Sequence, residues 1–446
     1  MMHIYFVSLG CDKNLVDSEK MLALLTKEGY ELTDEPEQAE IIVVNTCAFI
    51  HDAKQESIET LLELAEYKKT GKCKVLIASG CLAERYQDTI LEEMPEIDGV
   101  IGTTAYDDIA VVVKKALGGE HAALTKELDY LPVHLTDRVT SGMSHVGYLK
   151  ISEGCNKNCT YCIIPSMRGH YRSVPMEDLI EEAEKLAEKG IRELILVAQE
   201  TTLYGVDLYH EKKLPELLRR LSEILDIEWI RVLYCYPEEI TVELAQELRE
   251  NPKVCHYLDL PIQHCNDEVL KRMGRRTTKA ELIEKIKMLR KEIPDIALRT
   301  TLISGFPGET NENHEECVDF VANMKFERLG VFPYSPEEGT PAAEYDRQLP
   351  DEIKQEWADE IMQTEQNVIF AQNEEMIGRK LSVIVDGYLP EDGVYVGRTY
   401  RDAPEIDGCL FFEAPYEIIS GTILPVLVTD ANGYDLIGEI LPEEDD

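Results

Sequence analysis

The segment SEGCNKNCTYCIIP (152–165) places three cysteines, Cys155, Cys159 and Cys162, within eight residues of one another. It follows the apolar stretch VGYLKIS (146–152), so the thiols lie in a loop at the end of a predicted strand. Tetrahedral metal sites and iron–sulfur clusters usually take four protein ligands. A compact set of three therefore predicts a metal or cluster site whose fourth ligand comes from elsewhere.

Two other interpretations of this loop stay open on the residues alone. Zinc could bind here with His170 or a remote cysteine as fourth ligand, or the three thiols could be unligated. The chain has twelve cysteines, and its first residues, MMHIYFVSLG, lack a basic leader and predict a first strand. We therefore expect a reducing, cytoplasmic location, where metal binding and catalysis are more probable roles for cysteine than disulfides.

The sequence that follows the loop alternates predicted strands and helices, as in a β/α barrel. Further strands are predicted at 193–199, 229–235, 257–263, 296–305 and 328–335. Helices are predicted between and after them, at 176–189, 214–225, 239–249, 267–274, 279–293, 311–324 and 351–376. Six or more units in series predict a full or partial (β/α) barrel over 145–376, with its chemistry at the carboxyl ends of the strands.

The residues before the barrel predict a separate α/β domain with a parallel sheet, over 1–117. Apolar strands are predicted at 4–8, 41–45 and 75–79, followed by helices such as 17–28 and 52–69. Each strand runs into a cysteine: Cys11, Cys47 and Cys81, spaced by 36 and 34 residues. Since parallel strands end on the same edge of a sheet, these thiols are predicted to converge into a second set of three. Chance is the alternative, because buried cysteines are common.

The remaining segments are a connector over 118–144, with room for one local strand, and a tail over 377–446. The tail has short alternating stretches separated by turn signals, which predict a small antiparallel β-barrel. From residue 379 onward it carries four Lys and Arg against fifteen Asp and Glu, a balance of −11, within a chain whose formal net charge is −41. Such charge disfavours polyanions and favours basic partners, although it also serves solubility alone. No apolar run reaches the roughly 18–20 residues of a membrane span.

The C-x₃-C-x₂-C loop after the first barrel strand resembles the signature of the radical S-adenosylmethionine enzymes. The resemblance implies that the three cysteines hold a [4Fe–4S] cluster whose open iron binds S-adenosylmethionine, the source of a 5′-deoxyadenosyl radical. It also implies cofactor-binding roles for Tyr161, whose alternative is ordinary packing beneath the loop, and for Gly305 and Glu309 in ISGFPGE (303–309). Gln199, at a predicted strand end, is a further candidate for cofactor binding.

Other polar residues at predicted strand ends are candidates for the same pocket. They are Tyr204, Asp207, Gln263 and His264, each of which could equally be a satisfied polar cap. Arg299 could bind the carboxylate of a ligand, or it could pair with a neighbouring Glu of the barrel. No catalytic residue is predicted, and Cys73, Cys235, Cys255, Cys265, Cys317 and Cys409 share no spacing and are predicted to be packing residues.

Over nearly its whole length the chain resembles the methylthiotransferases, whose last domain is the substrate-recognition barrel called TRAM. That resemblance implies two [4Fe–4S] clusters, the auxiliary one held by Cys11, Cys47 and Cys81. S-adenosylmethionine then serves both as radical source and as methyl donor to a sulfur. A low-potential electron donor, a flavodoxin or ferredoxin, and a monomeric enzyme are expected.

The motif SLGCDKNLVDSE (8–19) resembles the branch that modifies a ribosomal protein, whereas the tRNA branch more often has Gly-Cys-Gln-Met-Asn there. The segment PSMRG (165–169) resembles the same branch, with two departures: Asp12 where Pro is common, and Glu200 where the family usually has Asp. The implied reaction is methylthiolation of the β-carbon of an aspartate in the basic twelfth protein of the small ribosomal subunit. The acidic tail favours that substrate over tRNA. Modification of adenosine in tRNA is the alternative, and a non-catalytic two-cluster electron-transfer protein is a second, although such proteins usually have four cysteines per cluster.

Overall fold

The computed structural model describes residues 2–132 and 137–441. The first domain is a six-stranded parallel sheet with the strand order β2-β1-β3-β4-β5-β6. Its strands are β1 (His3–Ser8), β2 (Glu31–Leu32), β3 (Ile41–Thr46), β4 (Val75–Gly80), β5 (Gly99–Ile101) and β6 (Ala122–Leu124). Its helices are α1 (Asp12–Lys27), α2 (His51–Ala65), α3 (Tyr67–Thr70), α4 (Cys81–Glu93) and α5 (Ile109–Leu117).

The central strands of this sheet are buried on both faces, which explains their uninterrupted apolar sequences. Ile41 and Val43 of β3 pack into one core cluster, whereas Ile42 and Val44 pack into another on the opposite face. One boundary differs from the sequence expectation, because helix α1 begins at Asp12, directly after Cys11. The predicted connector has room for one local strand, and β6 is such a strand, which joins the sheet beside β5. The domain limits predicted from sequence stay predictions.

The second domain begins with β7 (Val146–Lys150) and is a six-stranded parallel sheet in the order β14-β13-β12-β11-β10-β7. The further strands are β8 (Ser152–Glu153), β9 (Arg172–Ser173), β10 (Glu193–Val197), β11 (Trp229–Val232), β12 (Val254–Asp259), β13 (Ala297–Ser304) and β14 (Arg328–Pro333), with β8 and β9 forming a separate small pair. The helices are α6 (Ile164–Arg168), α7 (Met176–Glu188), α8 (Val206–Tyr209), α9 (Leu214–Ser222), α10 (Val242–Glu250), α11 (Asp267–Arg272), α12 (Lys279–Glu292), α13 (Asn311–Met324) and α14 (Asp351–Glu374). The six large strands form a partial barrel, as predicted.

The third domain is a closed five-stranded barrel that confirms the predicted TRAM-like tail. It consists of β15 (Lys380–Leu389), β16 (Val394–Thr399), β17 (Leu410–Glu413), β18 (Ile423–Asn432) and β19 (Asp435–Ile440). One feature differs from a purely antiparallel barrel, because β17 pairs with β19 in parallel. A closed ring with an odd number of strands cannot alternate direction all the way round, so one parallel pair is required.

The partial barrel is covered by the other two domains. Ile384 and Ala403 of the third domain share a core cluster with strand residues of the second, including Ile195 and Tyr257. Arg398 joins the same interface by binding Glu193 at 2.7 Å. On the other side, α1 of the first domain packs against β7. Among the described residues, no helix is long and apolar enough to cross a membrane.

Candidate metal centres

The first set of cysteines lies at one edge of the N-terminal sheet, as predicted. Cys11 directly precedes α1, Cys47 follows β3, and Cys81 opens α4, while β1, β3 and β4 are neighbours in the sheet. Gly10 has φ +90°, and a Cβ built on it would lie 2.8 Å from Cβ of Cys47. Only glycine allows the Cys11 and Cys47 loops to approach this closely.

Asn14 ties the loops of this set together. Its Nδ2 donates to the carbonyl oxygens of Leu9 and Thr46, each at 3.0 Å. Its Oδ1 accepts from the guanidinium of Arg168 and lies 3.9 Å from Sγ of Cys81. One amide side chain therefore connects the ends of β1 and β3 with the start of α4.

Two thiols of this set, those of Cys47 and Cys81, are buried where a thiolate is disfavoured in the absence of a cation. Burial, and then the neighbouring Cys81, raise the pKa of Cys47 to about 12. Burial also raises the pKa of Cys81, against the lowering effect of Arg168. A cation bound among the thiols would reverse this preference by favouring the deprotonated form.

The second set lies in the predicted loop after β7, with Cys155 and Cys159 buried and Cys162 half-buried. The loop is fixed to the end of α11, because the backbone N–H of Thr160 donates to the carbonyl of Met273 at 2.9 Å. The Thr160 hydroxyl also donates to the carbonyl of Arg272 at 2.8 Å. Burial raises the pKa of Cys155 to about 11, and a bound cation would favour its thiolate form instead.

Aromatic and cationic side chains surround the second set. The hydroxyl of Tyr236 lies 3.6 Å from Sγ of Cys159, and the ring of Tyr161 contacts that of Phe306 edge-on, with centroids 6.4 Å apart. The guanidinium of Arg275 lies 4.3 Å from the centroid of the Tyr236 ring. Its Nε and Nη1 are buried without a hydrogen-bond partner among the described residues, so this guanidinium can donate hydrogen bonds to an anionic ligand.

Two acceptors at the end of β10 are also unsatisfied. Gln199 donates from Nε2 to Glu153 at 2.9 Å, but its Oε1 is buried without a partner in the described structure. Glu200 is buried, and its Oε2 has no hydrogen-bond partner in the described structure. This oxygen lies 3.8 Å from Nζ of Lys157 in the cysteine loop. Desolvation raises the pKa of Glu200 to about 7. These acceptors suit a ligand that carries hydrogen-bond donors, such as an amino group.

Two groups of residues connect the cysteine sets. Arg168 follows the second set in sequence, and its Nη2 lies 3.6 Å from Sγ of Cys81 in the first. Its Nη1 binds Asp17 of α1 at 2.8 Å and Glu153 at 3.2 Å. On another side, Tyr234, two residues before Tyr236, donates from its hydroxyl to Asp12 of α1 at 3.3 Å.

Several predicted pocket residues have structural partners instead. Glu309 accepts from the backbone N–H of Phe306 at 2.9 Å and lies 3.2 Å from Nε2 of His264, so it holds the ISGFPGE loop. Gly305 has φ +69°, and a Cβ there would lie 2.3 Å from Lys354 of α14. The cofactor-binding roles expected for Tyr161, Gln199, Gly305 and Glu309 stay predictions.

Other candidates also have hydrogen-bond or ion-pair partners within the protein. The buried Tyr204 donates to the carbonyl of Val174 at 2.9 Å, and Asp207 accepts from both the N–H and the hydroxyl of Ser173. Arg299 binds Asp259 at 3.0 Å. The backbone of Gln263 forms hydrogen bonds with Thr301 and Ile303 of β13, each at 2.8 Å.

The zinc interpretation gains no support from His170, since its exposed ring binds Asp129 at 2.9 Å. A different group, His264, Cys265 and Cys317, has ligand atoms within 4.8 Å of one another. Both ring nitrogens of His264 are engaged, Nδ1 accepting from the N–H of Asn266 at 2.9 Å. We interpret this group as packing residues.

Sequence reasoning missed Asn14, Arg168 and Arg275, and it quoted Lys13 only as part of a motif. Arg168 and Asn14 lie inside the motifs PSMRG and SLGCDKN, which was the available signal for them. For Arg275 nothing in the sequence indicated that its side chain returns to the cysteine loop.

Fold and site together define the class, a radical S-adenosylmethionine barrel with an added three-cysteine domain, and comparisons with known proteins agree. Residues 149–321 match the radical SAM superfamily, residues 3–102 match the uncharacterized protein family UPF0004, and residues 377–441 match the TRAM domain. Domains of that superfamily use an iron–sulfur cluster and S-adenosylmethionine.

The solved structure of the radical S-adenosylmethionine methyltransferase TsrM from Kitasatospora setae has a TM-score of 0.56 at 16% identity, covering 77% of each chain. The cobalamin-dependent enzyme OxsB has a TM-score of 0.52 at 15% identity, covering 81% of this chain and 56% of its own. At such identity these two show the fold alone.

The full-length relatives are far closer in sequence. The chain is 58% identical over 437 residues to the ribosomal protein uS12 methylthiotransferase RimO of Lachnoclostridium phytofermentans, covering 98% of this chain and 99% of the relative. It is 49% identical to the protein of that name from Acetivibrio thermocellus, covering 98% of each. The chain belongs to the RimO family of radical S-adenosylmethionine methylthiotransferases.

Proposed function

We propose that this protein methylthiolates the β-carbon of an aspartate in ribosomal protein uS12, using two [4Fe–4S] clusters and S-adenosylmethionine. The observation that carries the proposal is the pair of three-cysteine sets, bridged by Arg168, in a chain 58% identical to a uS12 methylthiotransferase over nearly its whole length. We further propose a cytoplasmic location and a flavodoxin or ferredoxin as the electron donor.

The residues of both sets fit iron–sulfur clusters. Cys11, Cys47 and Cys81 would hold one, and Cys155, Cys159 and Cys162 the other; each set offers three free thiols and leaves one position for another ligand. The orphaned acceptors of Gln199 and Glu200 suit the amino group of S-adenosylmethionine, and the orphaned donors of Arg275 suit its carboxylate. When bound, these groups supply radical hydrogen abstraction, sulfur insertion and methyl transfer.

The chain's own side chains align the two cysteine sets. Asn14 fixes the ends of the strands that carry the first set, and Thr160 fixes the loop of the second. Arg168 spans the two, and its other contacts, with Asp17 and Glu153, are buried. Because these groups are satisfied before any substrate binds, the two sets are held in a constant relation.

The surface of the third domain supports a basic protein partner. Two of its four basic residues, Arg398 and Arg401, are buried, whereas Arg379 and Lys380 are exposed. Seven described acidic residues of this domain are exposed: Glu391, Asp392, Glu405, Glu413, Glu417, Asp430 and Glu439. Among the described residues of this domain, two exposed basic side chains therefore stand against seven exposed acidic ones, and this surface would repel the phosphates of tRNA.

Anaerobic turnover tests the proposal. The reconstituted protein is supplied with S-adenosylmethionine and a reductant, and with either uS12 or tRNA, and products are identified by mass spectrometry. We expect 5′-deoxyadenosine and a methylthio group on an aspartate of uS12. A methylthio product on tRNA only would refute the substrate, and the absence of 5′-deoxyadenosine would refute radical chemistry in favour of electron transfer.

A further inference from the structure

The side chain of Lys13, in the first turn of α1, is a buried cation without an anionic partner. The residue is 5% exposed, and its Nζ lies 3.2 Å from the centroid of the Tyr234 ring. In the part of the chain that the structure describes, no carboxylate lies within 4.0 Å of this ammonium, which contacts the Tyr234 ring instead. Burying an ammonium without a carboxylate is costly, and such groups are usually paired.

The other buried lysines show how unusual this is. Lys20 binds Glu182 at 3.1 Å, and Lys150 binds Glu153 at 2.7 Å. Lys354 binds Asp351 at 2.8 Å. Among the lysines that the structure describes as buried, Lys13 alone has an aromatic ring in place of a carboxylate. The missing partner is therefore expected to come from outside the chain.

Lys13 is placed between the two cysteine sets. It lies two residues after Cys11 of the first set, and the ring beneath it belongs to Tyr234 at the carboxyl end of β11. Two residues further along that segment, Tyr236 contacts Cys159 of the second set at 3.6 Å. Tyr234 has φ +60°, a left-handed conformation that is unfavourable for a non-glycine residue and concentrates at functional sites.

We propose that Lys13 binds the side-chain carboxylate of the substrate aspartate and selects an acidic residue for modification. This inference rests on the proposed function, in which the reacting β-carbon must lie between the radical source and the sulfur donor. That carbon carries its carboxylate directly, so a cation between the two sites reaches the carboxylate when the carbon is in place.

The neighbouring cations are already assigned by their surroundings. Arg168 and Lys150 are paired with Asp17 and Glu153. Arg275 lies against Tyr236, beside the second set, where it suits the cofactor. Lys13 belongs to the domain that holds the first set, and it is thus the cation available on the sulfur-donor side.

Peptide binding to the reconstituted holoenzyme tests this role without depending on turnover. Fluorescent uS12 peptides carrying Asp, or the neutral isostere Asn, at the modified position are titrated anaerobically in the presence of S-adenosylmethionine. The unaltered enzyme is expected to bind the Asp peptide roughly 10- to 100-fold more tightly, as is usual for a desolvated charge pair. In Lys13→Met this preference should fall to near unity, whereas Lys27→Met, at the exposed end of the same helix, should retain it.

Each possible outcome separates the two proposals. If the unaltered enzyme methylthiolates the Asp peptide but binds both peptides equally, the role of Lys13 is wrong and the proposed function stands. If it methylthiolates neither peptide nor uS12, the proposed function is wrong. Retention of the preference in Lys13→Met, or its loss in Arg275→Lys instead, also overturns the inference. A change confined to the reduction potential of the first cluster would mean that Lys13 balances cluster charge only. Should Lys13→Met lose iron, Lys13→Gln and the comparison of the two peptides on the unaltered enzyme remain decisive.

Discussion

Each of the two cysteine sets offers three thiols, but one set comes from a single loop and the other from three separate strand ends. Cys155, Cys159 and Cys162 come from one eight-residue loop, fixed at its middle by Thr160. Cys11, Cys47 and Cys81 come from three strand ends about 35 residues apart and are held together by a sheet. A change in the loop that carries the second set can leave the barrel folded. The first set is assembled from three strand ends, so its geometry depends on side chains that join them, such as Asn14 and Arg168.

The largest expected effects come from removing a thiol from each set. Cys159→Ala should abolish 5′-deoxyadenosine formation and all product. Cys47→Ala should retain 5′-deoxyadenosine formation but lose the methylthio product, since the two sets are proposed to act separately. Product formation should fall more than about 1000-fold in each case, and iron per chain should fall from about eight to about four.

Two cysteines outside the sets provide matched controls. Cys73 is buried in the N-terminal domain and Cys235 in the barrel. Iron content of Cys73→Ala and Cys235→Ala should match that of the unaltered protein. Iron loss in either variant would show that the sets are assigned wrongly.

Replacing Arg168 should affect the first set more than the second, although Arg168 is adjacent in sequence to the second. Arg168→Met leaves Asp17 and Glu153 without their guanidinium partner and removes the donor to Cys81. Breaking a buried pair of this kind typically costs about 3–5 kcal/mol of stability. Loss of a positive charge beside Cys81 should also make the reduction potential of the first cluster more negative.

Thermal unfolding and potentiometric spectroscopy check these two effects. Arg168→Lys keeps the charge and should restore part of the potential. Arg192→Met removes a surface arginine that binds Asp226 and should change stability by less than about 1 kcal/mol. An unchanged potential of the first cluster in Arg168→Met would contradict the bridging role.

A carboxylate outside both sets supplies a pH reference for such stability measurements. Burial raises the pKa of Glu365 in α14 to about 7, and the Tyr434 hydroxyl donates to this carboxylate at 2.7 Å. Ionisation is therefore harder in the folded protein than in the unfolded chain, and stability is lost as pH rises from about 4.5 to about 7. Glu365→Gln lacks this loss. Its stability relative to the unaltered protein should be about 1–3 kcal/mol higher at pH 8 than at pH 5, measured by unfolding at both values. A difference of equal size at both pH values would contradict it.

The smallest expected effect concerns the third domain, which carries neither set. Glu413→Lys combined with Glu417→Lys reverses two exposed charges and should raise KM for uS12 roughly threefold at low salt, with kcat unchanged. The effect should vanish at about 0.5 M salt because exposed charges are screened. Glu56→Lys on α2 of the first domain is the control, and an equal effect there would mean that only net charge matters.

The difference between the two cysteine sets also explains which parts of the site could be predicted from the sequence alone. The loop set was visible as a motif, and the strand-end set was visible because parallel strands share an edge. The sequence predicts pocket roles for Glu309 and His264, and in the structure these two side chains contact each other. A position at a strand end does not determine the direction of the side chain. Arg275 was missed because its approach to Tyr236 depends on how α11 packs on the loop.

By itself the sequence determined the three-domain order, the six clustered thiols and the acidic tail, because strand periodicity, short-range spacing and charge are local properties of a chain. The tertiary structure decided which charges are satisfied. Arg168 is paired on both sides of the domain boundary, whereas Lys13 is buried over Tyr234 without a carboxylate. Whether a buried cation has a partner depends on residues far apart in the chain, and only packing brings them together.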